Sequence, residues 1–426
     1  MERRRATLSL IAMSLFASLF SSKAWSAGGA TPAVTAINAL GLDLLAKGTE
    51  ANANALLSPY SIQSALAMAF AGAEGQTRTE MAKVLHYPGD EAELQRDIVA
   101  LRQALEDAQK RSEQRVNQAK QYGGKSDSLT LAMANRLFAQ QGYAFREPFL
   151  ALVKDKYGAP FQAMDFVHNA PGATREINGW VEEQTRRRIQ NLIPRDALGA
   201  DTRLVLANAI YFKAPWAEPF NEGATQPSPF HVKGGAGKDV LTMTRQSHFG
   251  YAHSDGFSVV TIPYVAGDLQ LLILLPDDVN GLAKLETKIT PELLAASAAA
   301  ESTNVILHLP KFKLEPPLFK LGAVLRSLGM RTAFDEPKGS ANFDRMAPRR
   351  PDDYVFISEV FHKTFLALDE KGTEAAAATA AVMARATGMR KPVQPVEVRV
   401  DHPFLFAVQH RASGACLFLG RVVDPR

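Results

Sequence analysis

The sequence predicts an α+β fold in a single domain, on three observations. Apolar residues at helical spacing come mainly in the first half of the chain, and strand-like runs come mainly in the second. That order favours α+β over a doubly wound parallel sheet. The last strands form a hairpin, HPFLFAVQH and ACLFLGRV about the turn RASG. The 426 residues would allow two or three domains by length alone, yet no long Pro-, Gly- or Ser-rich linker and no internal repeat divides them.

The elements follow in order. Residues 1–26 have the form of a secretory signal peptide: a basic start (Arg3, Arg4, Arg5), a short apolar run from Leu8 to Phe20, and small residues Ala24 and Ser26 before Ala27. The run is too short for a spanning helix. No cysteine follows it, which argues against a lipid anchor. The domain proper is expected over residues 27–426, in a periplasm or outside the cell. Ser58-Pro59 opens a helix, SPYSIQSALAMAFAGA, with serine placed to cap and proline at the first helical position. Leu94, Ile98, Leu101 and Leu105 begin an amphipathic helix. From about 106 to 128 the apolar face fades into a polar insertion ending in Gly123-Gly124, expected to be a solvated excursion. Residues 174–191 read as a helix with Ile177, Trp180, Val181 and Ile189 on its apolar side, and 204–212, 259–265 and 268–276 read as strands.

Composition excludes several classes of function. The chain is 46% hydrophobic and 22% charged, as an ordinary globular protein is. Its net charge of +4 falls to +1 once the four bases and one acid of residues 1–26 are removed, so a nucleic-acid role loses its electrostatic footing. The single cysteine, Cys416, allows no internal disulfide and reads as a small buried hydrophobe within ACLFLG. No G-x-S-x-G elbow, H-E-x-x-H pair or Walker A loop occurs. His248 and His253 are not spaced to share a helix face, so no metal or other cofactor is expected, and the chain does not read as an enzyme.

One stretch resists this reading. GTEAAAATAA (372–381) has a glycine where the chain can bend, then small residues with almost nothing to fill a core. Eight of the fourteen residues 373–386 are alanine, a composition that on its own favours a surface helix.

The whole mature chain resembles the serpins, serine protease inhibitors that trap their targets by changing shape. Five blocks in the family's order carry the resemblance: SPYSIQSALAMAFAGAEGQTRTEMAKVL, NGWVEEQTRRRIQNLIP, LVLANAIYFKAPWAEPF, ISEVFHKTFLALDEKGTEAAAATA and VDHPFLFAVQHRASGACLFLGRV. The signal peptide would make it a secreted member, read as bacterial. The resemblance implies three β-sheets and about eight or nine helices. An exposed reactive loop, about 370–396, would stand above a five-stranded main sheet with room for one more strand. A serine protease, or alternatively a cysteine protease, would cut the loop and become trapped as a covalent acyl-enzyme when the loop inserts. No nucleic acid or membrane partner is implied. The protein would be a monomer able to form loop-sheet polymers.

The resemblance also gives the opening puzzle a physical sense. Residues that enter a central strand alternate between core and solvent. The inward set would be Thr373, Ala375, Ala377, Thr379, Ala381 and Met383, none of them charged. The outward set includes Ala376, Ala378 and Glu374, which would stay wet. Gly372 would be the hinge, and Glu370 would hold the loop's base through an unassigned partner. The scissile bond would be Ala386-Thr387, suiting an elastase-like or subtilisin-like protease. Arg385 is the alternative, implying a trypsin-like target, and Arg390 would lengthen the inserting arm. Ser58, Ser61, Asn208 and His362 would form a polar cluster where the sheet parts, and Trp216 would stand at the loop's entry. Uncharged hinge residues favour inhibition over a non-inhibitory storage, carrier or chaperone role; a secreted hydrolase lacks any nucleophile motif.

Overall fold

The computed structural model describes residues 30–122, 127–158, 161–232, 237–374 and 394–426. The expected signal peptide therefore lies outside the described residues. So do hinge residues Ala375, Ala376, Ala377, Ala378 and Thr379, the alternative Arg385, and the assigned bond Ala386-Thr387.

Among the described residues there are nine α-helices: α1 (Pro32–Gly48), α2 (Pro59–Gly72), α3 (Gly75–Val84), α4 (Glu91–Gln121), α5 (Glu147–Tyr157), α6 (Phe166–Gln184), α7 (Leu282–Lys288), α8 (Pro291–Ser297) and α9 (Gly322–Leu328). The strands of the first half are β1 (Ala55–Leu57), β2 (Thr130–Gln140), β3 (Gln162–Met164) and β4 (Leu204–Pro215). Next come β5 (Gln226–Phe230), β6 (Lys238–Ser254), β7 (Phe257–Pro263), β8 (Leu269–Pro276), β9 (Ser302–Pro310), β10 (Phe312–Leu314) and β11 (Phe319–Lys320). The chain closes with β12 (Ile357–Asp369), β13 (Gly372–Thr373), β14 (Val396–Arg399), β15 (Phe404–His410) and β16 (Ala415–Val422). The α+β expectation stands. None of these helices is long and apolar enough to cross a membrane.

The main sheet is five strands wide, in the order β3, β2, β4, β12 and then β10 with β11. The remaining strands form one network, β1-β16-β15-β8-β7-β6-β9-β14 with β5 on β6. Two networks therefore stand where three sheets were expected, because the 17-residue β6 pairs with β5, β9 and β7 in turn and fuses the smaller two. Every residue of β8, β15 and β16 is buried. Cover on both faces is why these strands read as unbroken apolar runs rather than as alternation.

Two helices differ from expectation. α4 does not dissolve after Leu105: its buried stripe continues through Ala108 and Ser112 to Val116, and the helix runs on to Gln121. Ser112 is tolerated there because its Oγ accepts the Leu129 N–H at 2.8 Å. The predicted solvated excursion over about 106–128 is thus largely an ordered helix. α6 begins earlier than predicted, capped by Asp165, and ends at Gln184. TRRRIQN (185–191) turns instead, with Arg186, Arg187 and Asn191 at φ of 51°, 61° and 50°, while Thr185 Oγ1 accepts the Ile189 N–H at 3.3 Å. Cys416 is fully buried and burial pushes its thiol up to about 12, so it behaves as the predicted small hydrophobe.

Candidate functional site: the sheet opening and the hinge

β4 and β12 lie side by side and parallel, paired from Leu204/Ile357 to Tyr211/Phe365 with one register shift between Ile357 and Glu359. Beneath their middle sits a buried polar cluster. His362 on β12 is opposite Asn208 on β4. The Ser58 N–H donates to His362 Nε2 at 3.1 Å, which fixes the proton on Nδ1, facing the Asn208 side-chain oxygen. Asn208 Nδ2 donates to Ser61 Oγ at 2.7 Å and to Asn135 Oδ1 at 2.6 Å, and Ser58 Oγ donates to Leu417 O at 2.5 Å. Ser58, Ser61, Asn208 and His362 are therefore in one place. Asn135 on β2, which the sequence reading missed, completes the network by also accepting from Ser61 Oγ at 3.0 Å. An asparagine at the middle of the mostly apolar strand TLAMANRLF is the signal that would have found it.

Burial holds the His362 imidazole down at about 3, against 6.5 for a free one, so it is neutral over the physiological range. The folded state resists a proton that the unfolded chain accepts. Stability from this group is present above pH 6.5 and is lost as pH falls toward 3, on the order of 1 kcal/mol per pH unit. Thermal melts between pH 7.5 and 4.5 should show His362→Gln less stable at neutral pH but with a shallower acid decline. An unchanged slope would contradict the buried neutral imidazole.

Above the cluster the two strands diverge, and the hinge enters between them. β13 runs antiparallel to both: Thr373 pairs with Leu368 and Ala214, and Gly372 with Asp369 and Pro215. Gly372 has φ +150°, and a Cβ there would collide with the Ala214 carbonyl and lie 2.6 Å from Pro215 Cα. Only glycine fits. Asp369 Oδ1 closes the turn by accepting the Lys371 and Gly372 N–H groups at 2.9 and 3.2 Å. Trp216 is buried beside it, its indole donating to Asp369 O at 3.0 Å and its ring stacked on Tyr264 at 4.6 Å. The Tyr264 and Thr373 hydroxyls bond at 2.6 Å, and Thr373 is fully buried.

Glu370 acquires the partner left unassigned above: Lys311 at 2.9 Å, with Thr225 Oγ1 donating at 2.8 Å. Burial alone would raise its carboxyl, but those bonds bring it below the usual range. Glu374 ends the described hinge. Its side chain is only 13% exposed and ion-pairs with Arg188; burial raises its carboxyl and Arg188 opposes the rise. At φ +48° the chain has stopped alternating like a strand, so the side chain folds onto the turn after α6 instead of standing in water. Neither Arg188 nor Lys311 was legible beforehand, since both partners are remote in sequence.

Among the described residues no group of three or more His, Cys, Asp and Glu converges closely enough to hold a metal. His253 pairs with Asp277 at 2.9 Å, and His248 stands exposed on β6. Among the described residues of the site, the imidazole is buried and neutral, and Glu370 and Glu374 are held in ion pairs. What the site offers is a seam between parallel strands, a buried network able to exchange hydrogen-bond partners, and a small-residue strand already started in the seam.

The comparisons agree with this geometry. Residues 35–425 match the family model described as serpin (serine protease inhibitor). Human serpin B10 is 35% identical over 405 residues, covering 92% of this chain and 99% of its own. The leukocyte elastase inhibitor of Xenopus laevis is 36% identical, covering 90% and 97%. Among solved structures, uncleaved ovalbumin superposes with a TM-score of 0.75 at 30% identity, covering 92% of this chain and 100% of its own. Human thyroxine-binding globulin in complex with thyroxine does so with 0.73 at 26%, covering 92% and 99%. These relatives are vertebrate proteins, so the similarity does not carry the expectation of a bacterial member. A match from residue 35 to residue 425, on a sheet with this seam and this hinge, leaves one conclusion: the chain belongs to the serpin family.

Proposed function

We propose that this serpin inhibits serine-type endopeptidases as a suicide substrate and that it is exported, with its mature form starting at Ala27. The observation that carries the reading is β13. Two hinge residues already occupy the top of the seam, antiparallel to both neighbours. Continuing that strand downward would replace one parallel pairing, β4 with β12, by two antiparallel ones, which are the more stable kind. The protease serine attacks the Ala386 carbonyl, an ester forms, and the new amine leaves on Thr387. The loop then inserts and drags the ester-linked enzyme to the far end of the sheet, where its active site is distorted before water can complete the reaction.

Alanine before the bond suits an elastase-like or subtilisin-like pocket. The similarity to a protein named for inhibiting leukocyte elastase is consistent with this choice. Mass spectrometry after incubation with elastase should find a released fragment beginning at Thr387. A start at Ala386 with trypsin would move the bond to Arg385, and any other start would overturn the assignment. N-terminal sequencing of exported protein should read Ala27 first. The similarity to a thyroxine-binding globulin favours a second reading, a carrier that does not inhibit. Gels decide between the two: an inhibitor forms an SDS-stable adduct with its protease, and a carrier is simply cut.

A further inference from the structure

The lower end of the seam is fastened by side chains outside the buried cluster. β4 starts at Leu204 opposite Ile357, and the next pair is Val205 with Glu359, so Ser358 is an extra residue where the ladder slips. Its Oγ accepts the Arg203 N–H at 3.0 Å, which gives that group a partner where the ladder ends. Just outside the strands, Arg203 Nε lies 3.4 Å from Asp353 Oδ1. The Tyr143 hydroxyl donates to the same carboxylate oxygen. Burial, and after it the Asp353 bond, pushes the Tyr143 phenol well above its usual value, so it keeps the proton it donates.

Each of these bonds crosses the seam. Arg203 leads into β4. Tyr143 follows β2, which is paired with β4 from Thr130/Lys213 to Ala139/Leu204, and the Gln140 N–H donates to Arg203 O at 2.8 Å. Tyr143 and Arg203 therefore move with one side of the sheet. Asp353 precedes β12 and Ser358 lies within it, so both move with the other side. A strand entering between β4 and β12 sets them about 4.8 Å further apart, beyond the reach of any of these bonds.

Their place along the seam decides when they break. In β13, Gly372 pairs with Pro215 and Thr373 with Ala214. Continued antiparallel, that register brings Ala381 opposite Leu206, Met383 opposite Leu204 and Ala384 opposite Arg203. Most of the strand can enter with the fastening closed, and the last residues before the proposed bond cannot. We propose that Tyr143, Arg203, Asp353 and Ser358 form a clasp that governs the completion of insertion. It holds the far end of the seam shut in the intact protein, and its opening sets how fast the captured protease reaches that end. The clasp rests on the inhibitory reading. Its members are positioning residues, which act on the strands and not on the reacting atoms.

Uptake of synthetic loop peptides by the intact protein, followed by fluorescence anisotropy of a labelled peptide, tests the clasp. A peptide of residues 373–386 runs past Arg203, and one of residues 373–381 stops at Leu206. Asp353→Asn removes the charge that Arg203 meets, and Tyr143→Phe removes the hydroxyl donor. A half-exposed ion pair and a hydrogen bond to a charged group are each modest, so each variant should take up the long peptide about 5-fold faster than the parent. The short peptide should enter all three proteins at the same rate. If one variant fails to fold, the other decides. A variant that takes up both peptides faster to the same degree has a generally loosened sheet, and the clasp would be wrong. So it would be if uptake of the long peptide did not change. A parent that takes up neither peptide has no seam able to admit a strand; the inhibitory reading then fails and the clasp with it, a result distinct from the other two, in which the parent takes up both.

Discussion

A single cut in the loop should raise the melting temperature by about 10 °C or more, although it breaks a covalent bond. The gain arises in the seam. Residues 373–386 number fourteen, and inserting them between β4 and β12 exchanges one ladder for two. The net gain is roughly a dozen hydrogen bonds, each worth about 1 kcal/mol after water is accounted for. An unfolding entropy of about 2.1 cal/mol/K per residue makes each kcal/mol worth about 1 °C in a chain of this length. Burial of the alanine and threonine methyls adds to the gain. In the proposed mechanism the unbroken chain is kept from this state because residues 374–395 tie β13 to β14, and a cut frees them. Calorimetry of intact and elastase-nicked protein measures the difference. A nicked form that melts at or below the intact one would mean that no stabilisation was held back, and the trapping mechanism would fall.

Much of the fold was legible because its signals are local. Ser58 caps α2 as read, accepting the Ser61 N–H at 3.2 Å, and the hairpin of β15 and β16 sits where its apolar runs placed it. The length of α4 was not legible, because a small residue, Ala108, and a hydroxyl, Ser112, carry its stripe, and the bond that makes Ser112 acceptable comes from a residue outside the helix. The site divides in the same way. Gly372, Thr373, Asn208 and His362 were placed by the resemblance to the family, because on residue type alone a buried asparagine and histidine read as satisfied core groups. Arg188, Lys311 and Tyr264 could not be placed, since each meets the hinge across more than fifty residues of sequence. The outward position expected of Glu374 belongs to the inserted strand; in the uncleaved hinge the chain leaves strand geometry at that residue.

Thr373→Arg should convert the protein from a trap into a substrate, with the yield of SDS-stable complex falling about 100-fold while cleavage of the loop continues. In the proposed insertion Thr373 is the first residue with a side chain facing inward, and it is already fully buried, its hydroxyl on Tyr264 beneath the stacked Trp216. Among the described residues the nearby glutamates are already engaged, Glu370 by Lys311 and Glu374 by Arg188. An arginine there would have to be buried unpaired, at several kcal/mol or more, or stay outside and halt β13 before it begins. Either outcome slows insertion, and about 3 kcal/mol on that barrier is enough for a 100-fold change in rate. Hydrolysis of the acyl-enzyme is untouched and wins the competition. Thr373→Ser is the control, keeping the hydroxyl and the size, and it should trap as the parent does. Should the arginine variant still yield a full complement of covalent complex, Thr373 does not pass between β4 and β12, and the path of the loop assigned here would be wrong.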